Sequence, residues 1–373
     1  MQMETIKTPS LILDAERMKR NAERMTARAK LLNVALRPHV KTHKCIEIAK
    51  IQTAGNSGAI MVSTLAEARL FATNNFGDIT YGVPIEAGKF AETIELSRNC
   101  ERFSVLTDDA ETVKNLNQTA RSENEKINVF VKIDTGYHRC GVEPHTKAAV
   151  EIPRLIADSS NLNFAGILTH AGHSYHARIP EELFTIAQTE RDSMKNLAEN
   201  LRAENLEVPC VSIGSTPTIS KIDHLDGITE ARCGNYIFFD AFQATLGSCA
   251  FEDCVLTVLT AIVHRDSARQ KIVVDAGAVA LSKDRGAVEF DASCGYGRVF
   301  DITGEDLNLR VESLSQEHGA ITVKDTAIFT RLKVGSRVRV LANHSCLTAA
   351  QHDLYHVLDD GKIVDRWKIY SGW

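Results

Sequence analysis

The 373-residue chain is short of aromatic side chains (6%), has only 8 prolines, and has no apolar run approaching the ~18–20 residues of a membrane span. With an ordinary charged fraction of 24%, those shortages exclude a collagenous, proline-rich, disordered or membrane-spanning class. Positive charge is not in excess either. The 43 basic and 48 acidic side chains give a net charge of −5, so phosphate backbones have no electrostatic reason to bind. Neither nucleic acid nor membrane is expected as a partner; a small molecule is. The opening MQMETIKTPS lacks the apolar core of a signal peptide, and a cytoplasmic location is expected. No two of the nine cysteines stand at CxxC spacing, which excludes a zinc ribbon and a thioredoxin-type site. They read as reduced, mostly buried thiols. Only Cys346, in His344-Ser345-Cys346, has neighbours that make it chemically interesting.

What is present is a regular alternation. Strand patterns run over Ala35–Val40, Ala59–Ser63, Asp78–Gly82, Arg102–Leu106, Ile127–Ile133, Asn163–Leu168, Pro209–Ile213 and Thr229–Ile237. A helical pattern precedes each: one opening at the N-cap candidate Asp14, then roughly 44–53, 65–74, 86–98, 109–121, 145–158, 182–204 and 217–221. Eight strands separated by helices predict an α/β fold with a parallel sheet, closed into a (β/α)8 TIM-type barrel. An open doubly wound sheet is the alternative, weakened by the lack of a GxGxxG turn after the first strand. Past residue 247 the texture becomes short β-rich runs such as CVLTVLTAIVHR, KIVVDAGAVAL, SRVRVLA and KIVDRWKIY, with no long amphipathic helix. The expected domains are residues 11–247, a barrel, and residues 248–373, an all-β domain that residues 1–10 are a candidate to join.

A barrel carries its chemistry at the C-terminal ends of its strands. Here those ends read PHVKTHK (38–44), KIDTGYHRCG (132–141), THAGHSYH (169–176), GSTP (214–217) and RCGN (232–235). Barrels often hold a phosphate with the loops after strands seven and eight, where Gly214, Ser215 and Thr216 offer backbone N–H groups and hydroxyls. Taken alone, GSTP is equally a turn and helix cap. Lys41 follows apolar Val40 and has His39, His43 and Lys44 beside it. Partial desolvation among cations would disfavour its ammonium form and free the amine for an imine. A lysine opposite a phosphate site fits pyridoxal 5′-phosphate.

PHVKTHK, VSTLAEA (62–68), KIDTGYHRCGV (132–142), GSTPT (214–218), ARCGNYIFFD (231–240) and the late NHSCLTAAQHD (343–353) together resemble the fold-type III, alanine-racemase-like pyridoxal-phosphate enzymes. Within them the chain is most similar to the D-serine dehydratase and D-threonine aldolase group. The resemblance implies that Lys41 carries the cofactor and removes the α-proton. It places Arg139 toward the cofactor's phenolic oxygen and Arg232 toward its ring nitrogen, an arrangement that disfavours a long-lived carbanion. Gly214, Ser215, Thr216, Gly234 and Asn235 match the phosphate cradle, and Tyr175 a cofactor-contacting tyrosine. The second-base tyrosine of racemases has no counterpart; Tyr296 sits in a predicted β-turn.

In its place stands His344-Ser345-Cys346. In an extended segment residues two apart point the same way, so imidazole and thiolate can share a metal. Seen in isolation the pair is as readily structural; the resemblance makes it the ligand pair of a catalytic divalent metal, for which the thiolate favours Zn²⁺. The implied activity is a lyase acting on a D-β-hydroxy amino acid, by dehydration to a 2-oxo acid and ammonia. Retro-aldol cleavage to glycine and an aldehyde is the alternative, with a racemase or a non-catalytic cofactor carrier behind it. The family also implies a homodimer with shared active sites. His170, His173, His176, His352 and His356 have no role assigned by sequence.

Overall fold

Short aliphatic and β-branched runs joined by amphipathic helices satisfy their backbone groups by pairing side by side in parallel. The structure, a computed structural model, describes residues 3–286, 288 and 290–373. It divides into two units. One holds Arg24–Lys41, Ala49–Gly234 and the last two residues; the other holds the chain up to Glu23, Thr42–Ile48 and Asn235–Ser371.

After β1 (Ser10–Asp14) come the eight strands of the first unit: β2 (Ala35–Leu36), β3 (Ile60–Val62), β4 (Asp78–Pro84), β5 (Arg102–Thr107), β6 (Ile127–Lys132), β7 (Leu162–Leu168), β8 (Val211–Ile213) and β9 (Glu230–Ala231). All pair in parallel, in the order β2-β9-β8-β7-β6-β5-β4-β3. A parallel bridge between His39 and Met61 joins the two ends of that path. The eight strands thus form the expected TIM-type barrel. Met61 of β3, Leu106 of β5, Phe130 of β6 and Leu168 of β7 pack together in one buried cluster.

The helices lie close to their predicted spans: Leu65–Ala72, Phe90–Asn99, Ala110–Ser122, Ala148–Ala157, Pro180–Ala203 and Thr216–Lys221. Their starts follow cap chemistry. Thr64 accepts from the Glu67 N–H, Asp109 from the Thr112 N–H, and Asp14 from the Arg17 N–H at 2.9 Å. The first and last barrel strands are shorter than their sequence patterns. Pro38 has no N–H to give, yet the Arg37 and His39 N–H groups continue the ladder onto Ala231 and Cys233 carbonyls. After Gly234 the chain turns into a 3-10 segment, Asn235–Ile237, where the pattern predicted more strand.

The second unit is mostly β, as expected of this half of the chain. Its strands are β10 (Leu256–Asp266), β11 (Lys271–Val274), β12 (Arg298–Asp301), β13 (Asp306–Arg310), β14 (Ser313–Leu314), β15 (Gly319–Thr322), β16 (Arg337–Leu341), β17 (Leu354–Asp359) and β18 (Lys362–Lys368). The main path is β13-β12-β16-β10-β1-β17-β18, so β1 is a central strand, antiparallel to β10 and parallel to β17. Leu11, Ile12 and Leu13 are accordingly fully buried. Short helices interrupt the strands at Ala278–Leu281, Thr326–Arg331 and Ser345–Ala349. Among the described residues no helix is long and apolar enough to cross a membrane, and all nine cysteines are free thiols.

Candidate active site

Parallel strands put the residues that follow them at one end of the barrel, and the candidate cofactor residues of the first unit occupy those positions. Lys41 lies on the one-turn 3-10 segment Val40–Thr42 that leaves β2. Val40 beneath it is fully buried, whereas Lys41 itself is exposed. The expected partial desolvation is therefore not provided by the chain itself, because the segment turns outward at Lys41. Its charge still bears on two rings. Burial first, and the Lys41 cation second, push both His39 and His170 well below the ordinary histidine range.

The loop after β6 is organised by Asp134, whose Oδ1 accepts from the N–H groups of Gly136, Tyr137 and His138 at 2.9–3.1 Å. Arg139, exposed, rides on this loop with its guanidinium 5.1 Å above the Tyr137 ring. Tyr137 stacks on His173 at 6.4 Å. Tyr175 lies on the 3-10 turn Gly172–His176, and the Ser174 hydroxyl beside it sits 3.0 Å from Ser215 Oγ. Gly214 adopts φ +124°, a conformation that favours glycine, and an added Cβ would crowd Arg232 N and Ile219 at 3.1 Å. Ser215 then caps the Thr216–Lys221 helix in a capping box with Thr218. The cap reading of GSTP is thus realised for Ser215.

Arg232, 5% exposed, sits in the barrel wall. Its Nη2 donates to the Thr169 carbonyl, and its Nη1 faces Met61 Sδ at 3.2 Å. A thioether is a weak acceptor for a guanidinium. His39 Nδ1, also enclosed, has no hydrogen-bond partner among the described residues. An acceptor-rich anionic ring system suits both groups, so the residues fit pyridoxal phosphate.

Two residues of this cluster escaped sequence reasoning. Lys132 is buried at the end of β6, and burial, then Arg232, pushes its ammonium down to about 7. Glu190, on the long Pro180–Ala203 helix, is fully buried and holds the Ala171 and Gly214 N–H groups at 2.9 and 3.2 Å. Nothing in the helix periodicity distinguishes it from a solvated acid.

The second unit holds the other cluster. The extended reading of His344-Ser345-Cys346 is corrected: a helix begins at Ser345, with His344 as its N-cap at φ −133° and ψ 97°, and Cys346 lies in its first turn. The two side chains meet even so, by hydrogen bonding to each other. His344 Nδ1 is 2.7 Å from Asp284 Oδ2. Burial works against an imidazolium here, but Asp284 and Cys346 outweigh it and raise His344 well above the ordinary range. Burial likewise opposes a Cys346 thiolate, and His344 outweighs it, lowering the thiol. Cys346 Sγ lies 3.4 Å from Oγ1 of Thr42, the residue after Lys41 in the chain. Asn235, assigned by sequence to the phosphate cradle, directs its side-chain amide elsewhere: to Asp240 at 2.8 Å, Ser345 Oγ at 3.1 Å and Cys346 Sγ at 3.5 Å. Asp240, which sequence reasoning missed, also accepts from the Ser345 N–H at 2.9 Å.

Among the described residues no group of three or more His, Cys, Asp or Glu side chains is arranged for a metal. The candidate centre is a two-residue pair, with the donor chemistry that suits a zinc left open to water and substrate. Among the remaining histidines, His356 has a buried Nδ1 without a hydrogen-bond partner among the described residues. His352 Nε2 is 3.0 Å from the Ala280 carbonyl, His170 Nδ1 is 3.1 Å from the Gly214 carbonyl, and His356 lies in β17.

Comparison with known proteins agrees with the resemblance read from the motifs. Residues 13–241 match the alanine racemase N-terminal domain family, and residues 255–358 match a serine dehydratase domain. The D-threo-3-hydroxyaspartate dehydratase of Delftia sp. (strain HT23) is 37% identical over 99% of this chain and 98% of its own. Its solved structure superposes with a TM-score of 0.96, covering 100% of both chains. A cysteine-to-alanine variant of a D-threo-3-hydroxyaspartate dehydratase, 36% identical, has been solved in a metal-free form with the same TM-score of 0.96. The D-serine dehydratase of Dictyostelium discoideum is 36% identical over 99% of this chain and 98% of its own. The chain therefore belongs to the alanine-racemase-like, fold-type III pyridoxal-phosphate family, in the branch that carries a serine dehydratase domain.

Proposed function

We propose that the protein is a pyridoxal-phosphate- and metal-dependent lyase that dehydrates a D-β-hydroxy amino acid to a 2-oxo acid and ammonia. The observation that carries this reading is the His344–Cys346 pair with Asp284 on His344 Nδ1, a metal-type donor set in a member of a cofactor-dependent family. The names of the dehydratase relatives and the metal-free form of one of them support it. Pyridoxal phosphate, when bound, supplies a conjugated ring that accepts the electron pair left on Cα. A divalent metal, for which we propose Zn²⁺, supplies a Lewis acid for the β-hydroxyl.

Lys41 Nζ would hold the cofactor and then, displaced by the substrate amine, take the α-proton. Arg232 would donate toward the ring nitrogen and, being unable to give up a proton at physiological pH, would leave that nitrogen unprotonated. Arg139 would face the phenolic oxygen, and Tyr175 would contact the cofactor. Gly214, Ser215, Thr216, Gly234 and Asn235 would line the phosphate cradle, whose shape is set by Glu190 on the Gly214 N–H and Thr218 Oγ1 on the Ser215 N–H. His344 Nε2 and Cys346 Sγ would hold the metal. The Cα–H and Cβ–O bonds would break and a C=C bond would form, the hydroxyl leaving with a proton as water. The released enamine would tautomerise to an imine and be hydrolysed by water to the 2-oxo acid and ammonia. This route needs no long-lived carbanion, which suits an arginine at the ring nitrogen.

We further propose a homodimer, which light scattering should detect, and a cytoplasmic location, in keeping with nine free thiols. The function itself is tested by incubating the protein with D-serine, D-threonine and D-threo-3-hydroxyaspartate, with and without chelator. Chelator-sensitive release of ammonia and 2-oxo acid is expected. Glycine with an aldehyde would move the reading to retro-aldol cleavage, and an enantiomer would make the protein a racemase.

A further inference from the structure

A row of polar side chains runs through the wall of the barrel behind Arg232. Arg232 Nε donates to Ser212 Oγ at 2.7 Å, and Ser212 Oγ donates to Glu230 Oε1 at 2.6 Å. The other Glu230 oxygen accepts from Arg37 Nε at 2.7 Å. Arg37 in turn holds the Asp78 carboxylate, with Nη1 at 2.6 Å and Nη2 at 3.3 Å. Ser212 and Glu230 are register partners on β8 and β9, so the sheet itself fixes their spacing.

Direction in this row is not arbitrary. A guanidinium can only donate and a carboxylate only accept, so the Ser212 hydroxyl must accept from Arg232 and give its own proton to Glu230. Charge alternates along it: Asp78 negative, Arg37 positive, Glu230 negative, Arg232 positive. Ser212 is fully buried, and Arg37, Glu230 and Arg232 are 5–6% exposed. A buried guanidinium without an opposing anion is strongly penalised. The other carboxylate acting on Arg232 is Glu190, which burial pushes toward its neutral form and which already holds two backbone N–H groups. Glu230 is therefore the anion left to balance Arg232, and it reaches Arg232 by hydrogen bonds through Ser212.

We propose that Ser212 and Glu230 are positioning residues for Arg232. Together they pin its Nε edge, so that the Nη edge, lying on the Thr169 carbonyl and Met61 Sδ, is presented in one orientation to the cofactor's ring nitrogen. Arg37 and Asp78 hold Glu230 from behind. An amide at position 230 removes the charge that balances Arg232, and with its oxygen on Arg37 Nε its NH2 turns the Ser212 hydroxyl from donor into acceptor. This proposal rests on the pyridoxal-phosphate reading of the barrel.

The test titrates cofactor-free protein with pyridoxal 5′-phosphate and records Kd, the pH midpoint of the bound cofactor's absorbance, and the melting temperature. Ser212→Ala is expected to weaken cofactor binding about tenfold and to move the pH midpoint. Glu230→Gln should do the same. The double variant should be no worse than the worse single one, since both cut a single row. Ser212→Thr, which keeps the hydroxyl, should restore both readouts. Additive losses, or Ser212→Ala with unchanged Kd and midpoint, would overturn the proposal. If Glu230→Gln does not fold, the Ser212→Ala and Ser212→Thr pair decides the matter alone. A wild-type protein that takes up no pyridoxal phosphate would instead overturn the cofactor reading, and the proposal with it.

Discussion

Asp284 Oδ2 lies 2.7 Å from His344 Nδ1, and that contact decides which nitrogen of the ring remains for a metal. With Nδ1–H donated to the carboxylate, Nε2 is the nitrogen left to give up its proton to an incoming metal, and the ring is held at a fixed angle. Asp284→Ala should lower metal affinity by about 10–100-fold, as measured by competition with a chelator, while cofactor uptake is unchanged. Asp284→Asn keeps an acceptor without the charge and should fall between. Equal affinities in all three proteins would contradict the role of Asp284 in orienting His344 for a metal.

Lys41 should carry the cofactor. Borohydride reduction of the holoenzyme should fix the label on Lys41, and labelling of Lys44 or Lys132 would contradict the assignment. Because Lys41 is exposed on a rim turn, Lys41→Ala should abolish turnover and leave the melting temperature within about 1–2 °C of the parent.

Metal removal should separate chemistry from folding. A pair of protein ligands is too few for a closed structural zinc site, which uses four. Chelation should therefore remove most of the activity and leave the cofactor absorbance and the melting curve nearly unchanged, with zinc restoring the rate. A large drop in melting temperature on chelation would make the metal structural instead.

Lys132 predicts a pH dependence of stability. Burial first, then Arg232, lowers its folded-state value to about 7, against about 10.4 in an unfolded chain. Between those values the unfolded chain binds the extra proton, so stability should rise with pH from about 7 to about 10. Below that window the cost of burying the ammonium is fully present. Lys132→Met should flatten this rise and stabilise the protein at neutral pH, as followed by denaturant unfolding of the cofactor-free form. His39 and His170, also lowered, contribute only below the ordinary histidine range.

The barrel was legible because each strand is a short apolar run set off by a capped helix, and the rim residues follow from strand order alone. Strand ends were less so, since a pattern of apolar residues at Thr229–Ile237 does not say that Gly234 turns the chain into a 3-10 segment. Lys41, Arg232 and the His344–Cys346 pair were visible as motifs. Their supporting residues were not. Asp284 is sixty positions from His344 in the chain, and Glu190 reads as a polar helix residue until the fold buries it. Ser212, Glu230 and Arg37 meet only because parallel pairing sets β8 and β2 on either side of β9. The extended reading of His344-Ser345-Cys346 failed because Ser345–Ala349 forms a helical turn, which spacing alone does not reveal.

The most direct test of metal-assisted dehydration puts metal-free holoenzyme with D-serine in D₂O and follows two signals in one sample, α-hydrogen exchange and ammonia. If Lys41 is the base and the metal serves only loss of the β-hydroxyl, exchange should persist while ammonia release stops, and added zinc should restore the ammonia. Ammonia released at the full rate from a metal-free sample would contradict the account.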